Sequence, residues 1–274
     1  MASPLGIIAG GGELPISIAK QCIADGRGAY VIALEEAANP ADYPAGSATS
    51  FRIGAIGGIL KHLKKAGAEE ILLAGHIKRP SLSGLRPDLK GTQLLAKLGS
   101  KILGGDDSLL RFIIEFLESE GLKVVGVADV APALLAAEGI LGAIEPNKTI
   151  KEDIEYGLPR AIALGKADIG QAVVCYNKAI LAAEALEGTE RMIARAGEIR
   201  HDDNGGTLIK CSKPQQELRA DLPTIGVDTV EQCKQAGLHA IAIQAQKTII
   251  LNRTAVIEAA NKAGIALIGI NVDG

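Results

Sequence analysis

Between Lys213 and Gly226 the chain reads Lys-Pro-Gln-Gln-Glu-Leu-Arg-Ala-Asp-Leu-Pro-Thr-Ile-Gly. Lysine, glutamine, glutamate, arginine and aspartate are packed into its first nine positions. Unlike polar groups at this density cost free energy when buried unless they are paired or bound to a ligand. The stretch therefore reads as a ligand site, with a charged surface loop as the alternative. Pro223 stiffens it and would fix the carboxylate of Asp221. Four further groupings could carry chemistry. Gly10-Gly11-Gly12 follows an apolar run, where side-chain-free backbone near a helix start can approach phosphate. Gly75-His76-Ile77-Lys78-Arg79-Pro80 follows a second apolar run, and its two cations and imidazole suit an anion. Gly104-Gly105-Asp106-Asp107 precedes an apolar helix, where the aspartates suit either a helix cap or Mg²⁺. Glu184 and Glu187 close another strand-like run, followed by Gly188-Thr189. His62, His201 and His239 lack any such setting.

The elements that must position these residues alternate. Leu5 to Ala9, Ala29 to Leu34, Ser50 to Ile53, Glu70 to Ala74 and Leu122 to Val127 read as strands. Helices fill the gaps from Pro15 toward Asp25, from Gly57 to Ala66 and from Asp106 or Asp107 to Glu120. Strands spaced by helices imply parallel crossovers and an open α/β sheet covered on both faces. In such sheets ligands bind beyond the carboxyl ends of the strands, where both glycine motifs fall. Gly139, Gly142 and Pro146 mark a linker over residues 131–149. The chain thus divides into a Rossmann-like domain over 1–130 and a mixed α/β domain over 150–274. In the second, Ala172 to Cys175 and Ala179 to Ala183 flank a hairpin-like turn at Tyr176-Asn177-Lys178. Helices over Thr189 to Ala196, Thr229 to Ala236 and Thr254 to Ala263 then alternate with further strands.

Composition narrows the function classes. The 274 residues carry 29 Lys+Arg against 32 Asp+Glu, which argues against a strongly basic nucleic-acid binder. There is no Trp, so recognition of bases by aromatic platforms is poorly supported. The four cysteines are far apart in sequence and read as buried small apolar residues of a reducing cytoplasm. No signal peptide opens the chain, and no apolar run approaches the ~20 residues of a membrane span. The glycine triplet fails the dinucleotide fingerprint, because Pro15 stands where the third glycine belongs.

Seven segments occur in a specific order: Ile8-Ala-Gly-Gly-Gly-Glu-Leu-Pro15, Ala74-Gly-His-Ile-Lys-Arg-Pro80, Gly105-Asp-Asp107, Asp168-Ile-Gly-Gln171, Glu184-Ala-Leu-Glu-Gly-Thr189, Lys213-Pro-Gln-Gln216 and Arg219-Ala-Asp-Leu-Pro-Thr-Ile-Gly226. Together, over nearly the whole chain, they resemble the UDP-2,3-diacylglucosamine pyrophosphatases of lipid A biosynthesis that are distinct from calcineurin-like phosphoesterases. The resemblance implies a Rossmann-like and an α/β domain with the substrate between them. It implies hydrolysis of UDP-2,3-diacylglucosamine to UMP and 2,3-diacylglucosamine 1-phosphate (lipid X), with Mg²⁺ or another divalent cation. The family's essential aspartate maps to Asp221. At His76 the chain departs from the polar amide common in the family, so the role of that position is open.

Pyrophosphate cleavage needs positioning and positive charge. On this reading Asp221, then Glu187, would anchor the metal or orient the attacking water, and Thr189 would add a hydroxyl ligand. Lys213 and Arg219 would neutralise phosphate oxygens. Gln171 and Gln216 would make polar contacts to substrate. Gly11, Gly12, Gly75, His76 and Lys78 would receive the nucleotide side, and Asp106 and Gly188 complete the expected contacts. Aliphatic side chains must line the home of the acyl groups. The linker near Gly139 to Asn147 would be a hinge. The resemblance further implies cytoplasmic work with peripheral contact with the inner membrane, and leaves room for a homodimer. Two alternatives stand beside it: a nicotinamide-dependent nucleotide-sugar enzyme, and a nucleotide- or lipid-binding sensor without turnover.

Overall fold

The computed structural model describes residues 3–77, 85–98, 106–199 and 205–272, with Asp106 described by its backbone alone. Lys78, Arg79, Pro80, Gly104, Gly105, His201 and the side chain of Asp106 lie outside the described residues. The chain forms two compact units, one of residues 1–132 with 217–221, the other of residues 133–216 with 222–274.

In the first unit, β1 (Leu5–Ala9), α1 (Glu13–Ala24), β2 (Ala29–Leu34), β3 (Ala48–Phe51), α2 (Ile56–Lys65) and β4 (Glu70–Ala74) follow one another. Then come α3 (Leu89–Leu98), α4 (Asp106–Ser119), β5 (Lys123–Val124) and the short α5 (Val127–Val130). The five strands pair in parallel in the order β3-β2-β1-β4-β5. Strands covered on both faces read as nearly continuous apolar runs, as Leu5–Ala9 and Ala29–Leu34 do. Strand order reverses between β1 and β4, so the carboxyl ends of these two neighbours form the switch point where open α/β sheets bind ligands. Two expectations are revised. The run Leu122 to Val127 gives only a two-residue strand, because Gly126 breaks away to start α5 and donates its N–H to Asp129 Oδ2 (2.8 Å). Helix α3 has no strong sequence signal. Asp88 starts it, accepting from the N–H of Gly91 (2.8 Å), while its second oxygen accepts from Gly57 (2.7 Å) and Gly58 (3.2 Å) at the head of α2. One carboxylate thus satisfies the orphan donors of two helices.

The second unit contains β6 (Gly139–Ile140), α6 (Lys148–Lys166), β7 (Ala172–Tyr176), β8 (Ala179–Ala183), α7 (Gly188–Ile199) and β9 (Thr207–Lys210). It continues with β10 (Thr224–Ile225), α8 (Val227–Gln235), β11 (Ala240–Gln244), β12 (Ile249–Ile250), α9 (Arg253–Ala263) and β13 (Ala266–Ile270). Its main sheet runs β6-β13-β11-β9-β7-β8. The central β13, β11 and β9 are parallel, whereas β6, β7 and β8 pair antiparallel. A separate parallel pair joins β10 to β12. The β7–β8 turn forms at Asn177 and Lys178, both at positive φ (49° and 59°). The buried Asp153 of α6 clamps it by accepting the Lys178 N–H at 2.8 Å.

The segment read as a linker differs from expectation. Residues 133–149 fold into the second unit, because their backbone polar groups find partners there. Ile140 pairs with Ile268, Leu135 bridges Ile249, and Ala143 donates to Asn261 Oδ1 at 2.7 Å. All four cysteines are buried. Among the described residues, no helix is long and apolar enough to cross a membrane.

A side chain at Gly269 would put its Cβ inside the carbonyl oxygen of Ala137. Backbone cannot yield as a side-chain tip can, so Gly269→Ala should displace residues 137–140 from β13. We expect a loss of at least ~1–3 kcal/mol in urea unfolding. An unchanged midpoint would refute this packing.

Candidate active site

The two glycine motifs meet at the switch point. Gly11 and His76 form an antiparallel bridge, with Gly11 N–H donating to His76 O (2.8 Å) and His76 N–H to Gly11 O (3.0 Å). Gly10 N–H donates to Ala74 O at 2.8 Å. The approach is close enough that a Cβ on Gly75, which sits at φ 88°, would lie 2.6 Å from Gly11 O. These contacts correct one detail of the phosphate-cradle expectation, since the amides of Gly10 and Gly11 are already bonded to backbone. Gly12 (φ 100°) is exposed and starts α1, and the exposed His76 ring lies beside it.

Asp221 also belongs to the first unit. The segment Glu217–Asp221 leaves the second unit's chain and is fastened among first-unit residues. Glu217 N–H donates to Asp107 Oδ1 at 2.7 Å, and the other Asp107 oxygen pairs with Arg111 Nε at 3.0 Å. Arg219 grips Glu217 with two nitrogens (2.9 and 3.0 Å) and reaches Glu118 with a third (2.8 Å). Its guanidinium holds the Glu217 carboxyl below the usual glutamate range, and Glu217 raises the arginine in return. Gly126 permits the fit, since a Cβ there would stand 3.2 Å from Arg219 Cα. Ala220 packs against the apolar core of this unit, and Asp221 beside it is exposed. Arg219 therefore positions the segment through protein carboxylates, where phosphate neutralisation was expected of it. Asp107, passed over in the sequence in favour of its neighbour Asp106, is the residue that grips the segment.

In the second unit, two of the sequence motifs meet at a residue that neither contains, and a third joins them through Glu184. Gln171 N–H donates to Glu184 Oε2 (3.2 Å), and Thr189 Oγ1 donates to Glu184 Oε1 (2.9 Å). Lys210 Nζ then donates to Thr189 Oγ1 (3.3 Å) and to the carbonyl of Thr224 (3.2 Å). Glu184 and Lys210 are each only 7% exposed. Gly170 lies so close to Glu184 that a Cβ would strike its carbonyl oxygen, which keeps these strand ends together. The Gln171 side-chain oxygen is buried without a hydrogen-bond partner. Lys210 is the last residue of a fully buried strand. A charge at a strand's carboxyl end is the signal that could have found it.

The remaining expected residues have protein partners. Lys213 Nζ donates to Asp168 at 2.7 Å and holds that carboxyl below its usual range. The buried Gln216 accepts the Lys213 N–H (3.0 Å). Glu187 pairs with Arg195 (2.7 Å), which lowers its pKa. Gly188 opens α7 at φ 81°. Thr189 and Glu187, both expected as metal ligands, thus have different partners. Among the described residues no three of His, Cys, Asp and Glu form a metal-binding group.

Comparison with known proteins settles the relationship. The LpxI N-terminal domain family matches residues 4–134, and the LpxI C-terminal domain family matches residues 137–268. The chain belongs to the LpxI family. A curated relative from Caulobacter vibrioides, named UDP-2,3-diacylglucosamine pyrophosphatase LpxI, is 37% identical over 97% of both chains. A solved structure of CobK precorrin-6A reductase aligns with all of this chain and 89% of its own. Its identity is 11% and its TM-score 0.29, too low to carry an argument. The LpxI C-terminal match contains Glu217–Asp221, although these residues fold with the N-terminal unit. In this LpxI family member, sequence domain and folded unit therefore part company at the aspartate-bearing segment.

Two outcomes test this geometry. Lys210→Met removes the donor to Thr224 O and Thr189, and should cost ~1–3 kcal/mol in urea unfolding as buried acceptors lose their partner. Equal stability would show that Lys210 braces nothing. Glu217, with its pKa lowered by Arg219, stabilises the folded segment above the ordinary glutamate value of about 4.3. That contribution is lost as pH falls through the lower folded value. Amide protection of Ala220 and Asp221, whose N–H groups donate to Glu217 O, should decline across that acid window. Constant protection factors there would contradict the pairing.

Proposed function

We propose that this chain is a Mg²⁺-dependent hydrolase that cleaves the pyrophosphate of UDP-2,3-diacylglucosamine to UMP and 2,3-diacylglucosamine 1-phosphate. The observation that supports it is the setting of Asp221, an exposed carboxylate at the end of a segment gripped by Asp107 and Glu118. The relative's printed name supplies the substrate. Catalysis of phosphoryl transfer needs positioning plus charge stabilisation, and a fixed, solvent-reached carboxylate suits both.

In this reading Asp221 orients a water and takes its proton as the water oxygen bonds to one phosphorus. The anhydride P–O bond breaks and the second phosphate departs with the electron pair. Either phosphorus as target gives the same two products. Mg²⁺ binds through one or two carboxylates together with substrate phosphates, and Asp221 fits that donor set. Glu187 and Thr189 fit it less well, because Arg195 and Glu184 engage them. The cation would supply Lewis-acid stabilisation of the phosphate charge. The nucleotide phosphates would meet the start of α1 at Gly12, beside Gly75 and His76, where orphan helix N–H groups favour anions. Gln171, Lys213 and Gln216 are assigned to polar contacts from the second unit. Such an enzyme works on a membrane lipid from the cytoplasmic side, by peripheral contact.

Asp221→Asn keeps the shape of the side chain and removes its basicity. Release of UMP from purified substrate should fall by ~10²–10⁴, with substrate affinity retained. A chelator should abolish the wild-type rate and added Mg²⁺ restore it. Near-normal turnover by the variant, or a rate indifferent to chelator, would overturn the assignment.

A further inference from the structure

The aspartate that carries the proposed chemistry is tied to α4 by a path of two hydrogen bonds. Glu217 N–H donates to Asp107 Oδ1 (2.7 Å), and Glu217 O accepts the N–H of Ala220 (3.0 Å) and that of Asp221 (2.9 Å). Glu217 thus meets Asp107 with its donor and Asp221 with its acceptor. Residues 217–221 form one turn closed on itself, so a shift of Glu217 carries Asp221 with it.

One face of α4 is shaped to hold that turn. Asp107, Arg111 and Glu118 are four and eleven residues apart, spacings that return to nearly the same side of a helix with ~3.6 residues per turn. Arg111 Nε holds the second Asp107 oxygen (3.0 Å), and its charge helps to lower the Glu217 carboxyl. Ile114 falls on the same face and is fully buried, in the core cluster on which Ala220 packs. Glu118 takes Arg219 Nη1 at 2.8 Å. Gly126 leaves room for the Arg219 backbone, since a Cβ there would stand 3.2 Å from Arg219 Cα. The Asp107 and Glu118 side chains are 27% and 40% exposed, so neither belongs to the packed core that holds the unit together. What they fix is geometry, and a displacement of ~1 Å in a reacting group can cost ~10²-fold in rate. We infer that Asp107 is a positioning residue of the reaction: it acts through Glu217 to set where the Asp221 carboxylate stands, so that its loss is felt in kcat and not in KM. The inference rests on the proposed activity, in which Asp221 is the base.

Turnover is measured on the full chain with purified UDP-2,3-diacylglucosamine. Asp107→Ala should lower kcat ~10–10²-fold with KM held to within about twofold. Asp107→Asn keeps an oxygen for the Glu217 N–H and should restore most of that loss. In an Asp221→Asn background, Asp107→Ala should leave the residual rate nearly as it is, because no base remains to be placed. An unimpaired Asp107→Ala, an Asp107→Asn as slow as Asp107→Ala, or the same fold-loss in both backgrounds would overturn the inference. A second readout needs no substrate. The amides of Glu217, Ala220 and Asp221 should exchange faster in Asp107→Ala, while that of the buried Ile7 in β1 keeps its protection. Loss of protection at Ile7 as well would make Asp107 a general stabiliser and overturn its positioning role. Failure of the two readings is distinguishable. Wild-type protein that releases no UMP, with the three amides responding as stated, sinks the activity and leaves the anchor standing. Normal hydrolysis by both wild-type protein and Asp107→Ala sinks the positioning role alone.

Discussion

The site depends on one hydrogen bond from the backbone of Glu217 to the carboxylate of Asp107. Only five residues, 217 to 221, cross into the first unit from the later part of the chain. A short crossing of this kind has little core to hold it, so its position must come from directed contacts. The Asp107 contact is charge-assisted and partly buried, which makes it stronger than an ordinary hydrogen bond. The pair between Arg219 and Glu118 is about 40% exposed at both ends, and pairs so exposed contribute little by themselves. Its value is geometric, since with Glu217 it locks the arginine at three nitrogens. Ala220 then packs on the apolar core and Asp221 faces solvent, at the end of a turn in which both amides donate to Glu217 O.

The parallel sheet explains why chemistry gathers where it does. Every βα crossover returns the chain to the same edge, so each strand's carboxyl end opens toward the same side. In the first unit this brings Gly10–Gly12 against Gly75–His76, although more than sixty residues separate them. In the second it brings Lys210 and Gln244 to neighbouring strand ends, where Gln244 accepts from both the N–H and the hydroxyl of Ser212.

Much of this was legible in the residues. The strands Leu5–Ala9, Ala29–Leu34 and Glu70–Ala74 follow directly from apolar runs bounded by turns. Helix α3 was not legible, because its start depends on Asp88, a carboxylate shared with another helix. The supposed linker over 131–149 looked like one because β6 is two residues long and fixed by pairing to a strand more than a hundred positions later. The density of polar residues after Lys213 correctly flagged a special segment. What it could not show was the division of labour. Arg219 and Lys213 look like phosphate ligands in a one-dimensional reading, since a cation's partner is invisible until the fold brings a carboxylate beside it.

The buried polar chain of the second unit shows the same limit from the other side. Placing Lys210 at 7% exposure demands a nearby opposite charge or full hydrogen bonding, because an uncompensated buried ammonium is costly. The Thr189 hydroxyl links it to Glu184, a carboxylate buried in the same network. The relayed arrangement ties the start of α7, the end of β9 and the start of β10 into one network. Thr224 lies three residues beyond Asp221, and the intervening Pro223 restricts the backbone between them. The network therefore fixes where the chain re-enters the second unit, as Asp107 fixes where it enters the first. Each anchor acts within its own unit, and Pro223 stiffens the backbone that runs from one to the other.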